Sequence, residues 1–319
     1  MPASSFHRLL AATRPRCGCA ERGAKAKTMV QIGFNLLTVG GFIDEAHLPL
    51  CERIREIGYD GVEIPVFEGD AGHYERLGRQ LDAIGLKRTI VTIVAEDSNP
   101  LSSDPAIRRQ ARERHRWAVG CAAALGATVI AGPYHSPVGV FSGEGPREDE
   151  LAPLAEALHV MAEDAGKAGI ALSLEAINRF ECYALNTMEA ASALRARVAH
   201  PNFGYMYDTF HANIEERDPV GAYSRYASEI NHIHLSENDR GIVGRGHVPW
   251  AETFRAIRAT GYDSWLTVEA FGRALPSLAA ATRVWRDLFP DLDTLLVESH
   301  GFIRRGWAEA ASPTEAGAT

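Results

Sequence analysis

The chain has 319 residues and lacks several features that would fix its class at once. No apolar run approaches the ~18 residues that a membrane-spanning helix needs, so we expect no membrane partner. No glycine-rich dinucleotide fingerprint follows the first strand-like segment, which argues against a doubly wound nucleotide-binding fold. With 46% hydrophobic residues, the chain can nevertheless bury a large core.

Cysteines are few and form no framework. The five stand at positions 17, 19, 51, 121 and 182. Their number is odd, and Cys17 and Cys19 form C-x-C rather than C-x-x-C, so we expect reduced thiols and a cytoplasmic location. Cys51 and Cys121 lie in helix-like segments, where we expect them to pack in the core.

Positive charge is also scarce outside the N-terminus. The net charge is −8, but residues 1–28 carry four Arg and two Lys against one Glu, which leaves −13 on the remainder. An acidic body argues against a nucleic-acid partner. Residues 1–28 are interpreted as a disordered arm, an over-extended start or a transit-like segment. We predict one catalytic domain over 29–307 and a flexible tail over 308–319.

The repeated unit is a short apolar, β-branched run followed by a longer helical pattern. The eight predicted strands span 30–38, 61–67, 88–94, 128–135, 170–177, 203–211, 230–237 and 265–271. Several helices end at a glycine just before the next strand, as in EIGYDGVEI and ALGATVIAG, which suits a left-handed cap and a short turn. The alternation predicts a parallel sheet and, with eight units, a single-domain (β/α)8 TIM barrel. An open doubly wound sheet is the alternative.

Acids and imidazoles stand near the ends of four successive predicted strands. Glu175 ends the fifth, Asp208 the sixth, His234 the seventh and Glu269 the eighth. Active sites of such barrels lie at the carboxyl ends of the strands, so these side chains should meet at one rim. Three carboxylates and one imidazole suit Mn²⁺, Co²⁺ or Mg²⁺. Each residue alone could equally serve in a rim salt bridge, and His232 could be a satisfied core or supporting histidine.

The segments SLEAINRFE, YDTFHANIEE, HIHLSENDRGIVGRGHVPW and TVEAF resemble those of the ketose 3-epimerases that act on D-tagatose, D-psicose or L-ribulose. These belong to the sugar phosphate isomerase/epimerase barrels, which are similar to xylose isomerase. The resemblance covers residues 29 to about 290. It implies a divalent metal, commonly Mn²⁺, on Glu175, Asp208, His234 and Glu269, a small ketose as partner, and a homodimer or homotetramer. It further implies substrate contacts at Glu181, His211 and Arg240.

Epimerisation at C3 of a ketose removes the proton beside the C2 carbonyl and returns one on the opposite face. Two bases are therefore needed around a C2–C3 enediolate. The fifth and eighth strands face each other across an eight-stranded ring, so we expect Glu175 and Glu269 to be the catalytic pair. Arg240 could instead order its loop by pairing with Glu237 or Asp239.

Other functions fit the same residues less closely. An aldose–ketose or hydroxypyruvate isomerase would use the same metal and move a proton between C1 and C2. A dehydratase, an abasic-site endonuclease and a sugar-binding barrel are further alternatives; the acidic body disfavours the endonuclease. In the N-terminal half, Glu63 is open between a structural and a substrate-facing role, and Phe34, Thr38 and His135 between the pocket lining and packing.

Overall fold

A computed structural model describes residues 30–273 and 275–311. Eight parallel strands form a closed barrel in chain order, with the first strand paired to both the second and the eighth. The strands are Gln31–Asn35 (β1), Gly61–Pro65 (β2), Lys87–Val91 (β3), Val129–Gly132 (β4), Ala171–Glu175 (β5), Phe203–Asp208 (β6), Ile230–Leu235 (β7) and Trp265–Val268 (β8). The predicted (β/α)8 barrel is confirmed, and the open sheet is wrong because β1 and β8 close the ring.

One or two helices follow each strand along the chain. The α-helices are Leu48–Ile57 (α1), Ala71–Ile84 (α2), Pro105–Leu125 (α3), Glu148–Lys167 (α4), Met188–Val198 (α5), Thr209–Glu215 (α6), Pro219–Tyr226 (α7), Trp250–Ala259 (α8), Pro276–Thr282 (α9) and Leu292–Glu309 (α10). Short 3-10 turns cover Leu36–Thr38, Glu45–His47 and Glu96–Ser98. In the described ranges, no helix is both long and apolar enough to cross a membrane.

The helix ends follow the glycine pattern of the sequence. Gly58, Gly85 and Gly126 are the C-caps of α1, α2 and α3, and each adopts the left-handed conformation. Glycine reaches that conformation without the Cβ clash of other residues, so the chain can turn directly into the next strand. Gly169 and Gly261 also have positive φ but stand one residue after the caps of α4 and α8.

The barrel interior is closed at its amino-terminal end by the indole of Trp265. A Cβ at Gly61 would lie 2.6 Å from that ring, and a Cβ at Gly33 would lie 3.3 Å from it. The two glycines, on β1 and β2, therefore leave the space that the large side chain from β8 fills. This floor leaves the opposite, carboxyl-terminal rim as the place where polar side chains can gather.

Two further sets of predictions concern the cysteines and the two ends of the chain. Cys51 and Cys121 are free, buried and helical, as predicted, and Cys182 is also free and buried. The predicted arm at 1–28 lies outside the described residues, as does the predicted tail of 308–319 from residue 312 onward. The first two residues of that predicted tail are helical, because α10 continues to Glu309. The domain boundaries otherwise stay predictions.

Candidate metal centre and active site

The four predicted metal ligands meet at the carboxyl-terminal rim. Glu175 and Asp208 are the last residues of β5 and β6, His234 is the penultimate residue of β7, and Glu269 directly follows β8. One ligand atom from each lies within 4.8 Å of every other, and all four residues are buried. Parallel strands in register explain this convergence, because Asp208 pairs with His234 across β6 and β7.

His234 stands at the centre of the cluster. Its Nδ1 atom is 3.4 Å from Oε1 of Glu269, 3.6 Å from Oδ2 of Asp208 and 4.0 Å from Oε1 of Glu175. One nitrogen and three carboxylate oxygens thus point at a common centre. This donor set matches the oxygen-rich preference of Mn²⁺ and Mg²⁺ better than that of a thiolate zinc site.

Buried polar atoms without hydrogen-bond partners are a second reason why these residues fit a divalent cation. Oε1 of Glu175 and Nδ1 of His234 are buried without a hydrogen-bond partner, a costly state for polar atoms. Burial, and then the nearby charge of Glu269, raise the pKa of the Glu175 carboxyl, despite the opposing effect of His211 and His234. A cation at the common centre would satisfy both orphaned atoms and offset the repulsion between the carboxylates.

Glu63 lies directly behind this cluster and is completely buried. Its Oε1 accepts a hydrogen bond from Nε2 of His234 at 2.6 Å, and its Oε2 lies 2.9 Å from Nε2 of His232. Burial would raise the pKa of the Glu63 carboxyl, but the imidazoles of His234 and His232 lower it below its ordinary value. Glu63 therefore holds histidines of β7 from inside the barrel, which supports the structural one of its two predicted roles.

Arg240 extends from the loop after β7 into the cluster. Its Nη1 donates to Oε2 of Glu269 at 2.5 Å and to Oγ of Ser236 at 2.8 Å, and it pairs with Asp208 at 3.4 Å. The guanidinium carbon is 3.9 Å from the ring centre of Phe210 and 5.0 Å from that of Phe271. The arginine is thus clamped between two rings, and its ion-pair partners are rim carboxylates rather than Glu237 or Asp239.

The backbone of Arg240 has φ of +67°, a left-handed conformation that is unfavourable for residues other than glycine. Glu237 stabilises the loop that imposes it. Its carboxylate accepts from the backbone N–H of Gly244 and Val248 and from the indole of Trp250, while its carbonyl accepts from the N–H of Arg240. The strained backbone therefore lies at the residue whose side chain reaches the rim carboxylates.

His211 and Glu181 lie on the β5 and β6 side of the same opening. Nδ1 of His211 accepts from the backbone N–H of Asn178 at 3.0 Å, and its Nε2 lies 3.5 Å from Glu175. The side-chain amide of Asn178 also donates to Oε1 of Glu181 at 2.9 Å. Asn178 thus orients one predicted substrate contact and binds the other.

A cavity of about 480 Å³ opens beside these residues. Glu181, Arg240 and Asn178 line it, and the exposed side chains of Phe180 and Trp285 stand at its rim. Of the other proposed lining residues, Phe34 packs edge-on against Tyr59, and Thr38 donates to the carbonyls of Asn35 and Ala270. His135 is buried with Nε2 3.4 Å from the Cys182 sulfur. These three contacts support the packing interpretation.

Several residues of the site were not predicted from the sequence. Asn35 connects Glu63 with Glu269, Asn178 holds His211, and Phe210 stacks on Arg240. Phe210 and Asn178 directly adjoin predicted residues or motifs, which offered a signal in the sequence. Asn35 carried none, because its partners are 28 and 234 positions away.

A closed parallel barrel with a buried cluster of carboxylates and imidazole at its carboxyl-terminal rim defines an enzyme of the TIM-barrel class with a site able to hold a divalent cation. A family model described as xylose isomerase-like TIM barrel matches residues 51–294. The chain therefore belongs to the xylose isomerase-like TIM barrel family.

Comparison with known proteins shows which members of this family the chain is similar to. A ketose 3-epimerase from Arthrobacter globiformis is 31% identical over 84% of this chain and 93% of its own length. An L-ribulose 3-epimerase from Mesorhizobium japonicum is 31% identical over 82% and 88%. A solved structure of L-ribulose 3-epimerase superposes with a TM-score of 0.84 at 29% identity, covering 91% of this chain and all of that one. The predicted resemblance and the predicted isomerase class are confirmed.

Proposed function

We propose that the protein catalyses the metal-dependent epimerisation of free ketoses at C3. The observation that carries this proposal is the pair of buried carboxylates, Glu175 and Glu269, that converge from β5 and β8 on the same centre. An epimerase must remove a proton on one face of C3 and deliver one on the other, so it needs two acid–base groups. The names of the relatives agree with this reaction.

In the proposed mechanism, Glu175 and Glu269 alternate as base and acid on opposite faces of C3. A bound divalent cation, held by Glu175, Asp208, His234 and Glu269, would act as a Lewis acid for the negative charge that develops between C2 and C3. The reaction requires no net change of protonation over a turnover.

The substrate oxygens would be oriented by Arg240, His211 and Glu181. Arg240 presents a fixed, multi-donor fork because two aromatic rings clamp its guanidinium. Nε2 of His211 is 3.1 Å from Nη2 of Arg240, so the two groups can bind neighbouring oxygens of one sugar. Asn178 donates a hydrogen bond to each of His211 and Glu181 and so holds both side chains at the cavity.

The substrate would be a ketopentose or ketohexose of the L-ribulose, D-tagatose or D-psicose/D-fructose type. Mn²⁺ is the proposed cation, with Co²⁺ or Mg²⁺ as substitutes, and a homodimer or homotetramer in the cytoplasm is the proposed form of the protein. A cavity of about 480 Å³ is within the range of small-ligand sites. The net charge of −13 outside residues 1–28 disfavours a nucleic-acid partner.

Solvent exchange in D₂O tests the reaction. The metal-loaded enzyme should place deuterium at C3 of the product epimer, measured by NMR after incubation with a panel of ketoses. Glu175→Gln and Glu269→Gln should each lower the rate ~10²–10⁴-fold through lost acid–base catalysis. A variant that keeps one base and its metal should still exchange C3 of the starting sugar while forming little epimer, so metal content is measured alongside.

Glu150→Gln is the matched control for these variants. Glu150 is a buried carboxylate that accepts from Tyr183 and from the backbone of Arg147 at the start of α4. It should retain the wild-type pattern of exchange. Deuterium at C1 with accumulation of an aldose would replace the epimerase with an aldose–ketose isomerase. Normal epimerisation by both glutamine variants would exclude the proposed bases.

A further inference from the structure

Glu63 lies among polar groups from three different strands of the barrel, β1, β3 and β7. Its Oε1 accepts from Nδ2 of Asn35 at 3.1 Å and Nε2 of His234 at 2.6 Å, and its Oε2 accepts from the hydroxyl of Thr89 at 2.8 Å. Nε2 of His232 lies 2.9 Å from Oε2, although the ring is not aligned for a hydrogen bond. An ionised carboxylate can accept from all of these groups, because it has acceptors on both oxygens and no donor.

The contact with His234 determines which ring nitrogen carries the proton. Glu63 has only lone pairs to offer at 2.6 Å, so Nε2 of His234 must be the N–H donor. In the neutral ring, Nδ1 is then left with a lone pair. That lone pair points at the oxygens of Glu269, Asp208 and Glu175, which is the orientation a cation ligand needs.

Asn35 connects Glu63 to a second proposed metal ligand, Glu269. Its Nδ2 donates to Oε1 of Glu63 and also, at 3.0 Å, to Oε1 of Glu269. The amide cannot be reversed, because its Oδ1 accepts from the backbone N–H of Leu37 at 2.9 Å. Glu63 thus connects directly to the ligand on β7 and, through one amide, to the ligand after β8.

We propose that Glu63 is a positioning residue for the metal centre: it fixes the tautomer of His234 so that Nδ1 faces the cation, and through Asn35 it orients Glu269. This inference rests on the metal centre of the proposed function but not on the sugar or on the carbon that reacts. Carboxylates in this position also increase the basicity of a ligand histidine, and their loss costs ~10–100-fold in metal affinity or activity.

Glu63→Gln is the direct test, because it keeps the shape of the side chain and removes its ability to accept on both sides. With its oxygen toward His234, the amide can still accept from Nε2, but as a neutral group it increases the basicity of the ring less than a carboxylate does. With its NH₂ toward His234, it leaves Nε2 without an acceptor. Calorimetric titration of metal-free protein with Co²⁺ and with Mn²⁺ should show ~10–100-fold weaker binding than wild type. The ligand-field absorption of bound Co²⁺ should change as well, since the geometry of His234 changes. The control, Glu150→Gln, should bind both ions as wild type does.

A second measurement does not depend on the variant folding. Nitrogen-15 NMR of the imidazole rings in metal-free wild type should show His234 protonated at Nε2, assigned by comparison with His234→Gln. Asn35→Ala, which keeps Glu63, should weaken cation binding less than Glu63→Gln does. An unprotonated Nε2 of His234, or wild-type affinity and Co²⁺ spectrum in Glu63→Gln, would overturn the inference. Failure of wild type itself to bind either ion would instead refute the metal centre, and the tautomer measurement would still decide the role of Glu63.

Discussion

The charge balance at the rim makes a sharp prediction for Arg240→Met. Glu175, Asp208 and Glu269 are buried together, and Arg240 is the guanidinium that contacts two of them. Removing one partner of a buried ion pair costs ~3–5 kcal/mol, because the remaining charge is left uncompensated. We therefore expect the free energy of unfolding of the metal-free protein to fall by about that amount. This is a large part of the ~5–15 kcal/mol that holds a typical protein folded.

The loss should be smaller when a cation is bound, because the ion then compensates the same carboxylates. What remains is the stacking of the guanidinium between Phe210 and Phe271, worth ~2 kcal/mol at most for a desolvated pair. A difference of ~2 kcal/mol between the two states would mean that the variant binds its ion about 30-fold more tightly. Activity should nevertheless fall, since the substrate donor is gone.

Urea unfolding followed by circular dichroism, in EDTA and in excess Mn²⁺, measures both losses. Arg114→Met is the matched control. Arg114 stacks on Trp117 at 3.9 Å and donates to the carbonyl of Phe67, so its contacts involve a ring and backbone rather than the rim carboxylates. Its substitution should cost the same free energy with and without Mn²⁺. Equal losses for Arg240→Met in the two conditions would refute the idea that the guanidinium and the cation compensate the same charges.

Three further predictions concern the cation, the arm and the barrel floor. EDTA should abolish turnover and lower the melting temperature, because the ion binds only the folded state, and Mn²⁺ or Co²⁺ should restore both; full activity of exhaustively metal-free protein would contradict the site. A chain that starts at Met29 should keep wild-type turnover and melting temperature, and failure to fold would show that the arm belongs to the domain. Gly61→Ala should destabilise the protein by ~1–3 kcal/mol or more in chemical unfolding, since its methyl group would press on the Lys87 carbonyl and lie 2.6 Å from the Trp265 ring. Gly120→Ala, in open space on α3, should be neutral or stabilising, and equal losses for the two would argue against a packed floor.

Much of the fold was predictable because it rests on local chemistry. Glycines at or just after the helix ends mark several of the helix-to-strand turns, and β-branched runs mark the strands, so the number and order of strands could be predicted from short windows. The strand ends were less accurate. The sixth predicted strand continued to His211, whereas β6 ends at Asp208. Asp208 accepts from the N–H groups of Phe210 and His211, so the carboxylate at the strand end also caps the next helix.

The candidate site was predictable to the extent that it lies at strand ends. The positions of Glu175, Asp208, His234 and Glu269 at strand ends were enough to predict that these side chains meet at one rim. The supporting contacts depend instead on the register of the closed barrel. The role of Glu63 stayed open because its partners Thr89, Asn35 and His234 are 26, 28 and 171 positions away. Such contacts exist only once the ring has closed.

The packing of Trp265 against Gly33 and Gly61 has a consequence for how the protein folds. Gln31 pairs with Trp265 where β1 meets β8, which joins the two most distant strands of the ring. Contacts across so much intervening chain are slow to form, because loop-closure entropy must be overcome first. The indole is shielded from water only when that seam is complete and β2 stands beside it. The fluorescence of Trp265, isolated by replacing the other four tryptophans, should therefore report barrel closure later in refolding than far-ultraviolet circular dichroism reports the helices.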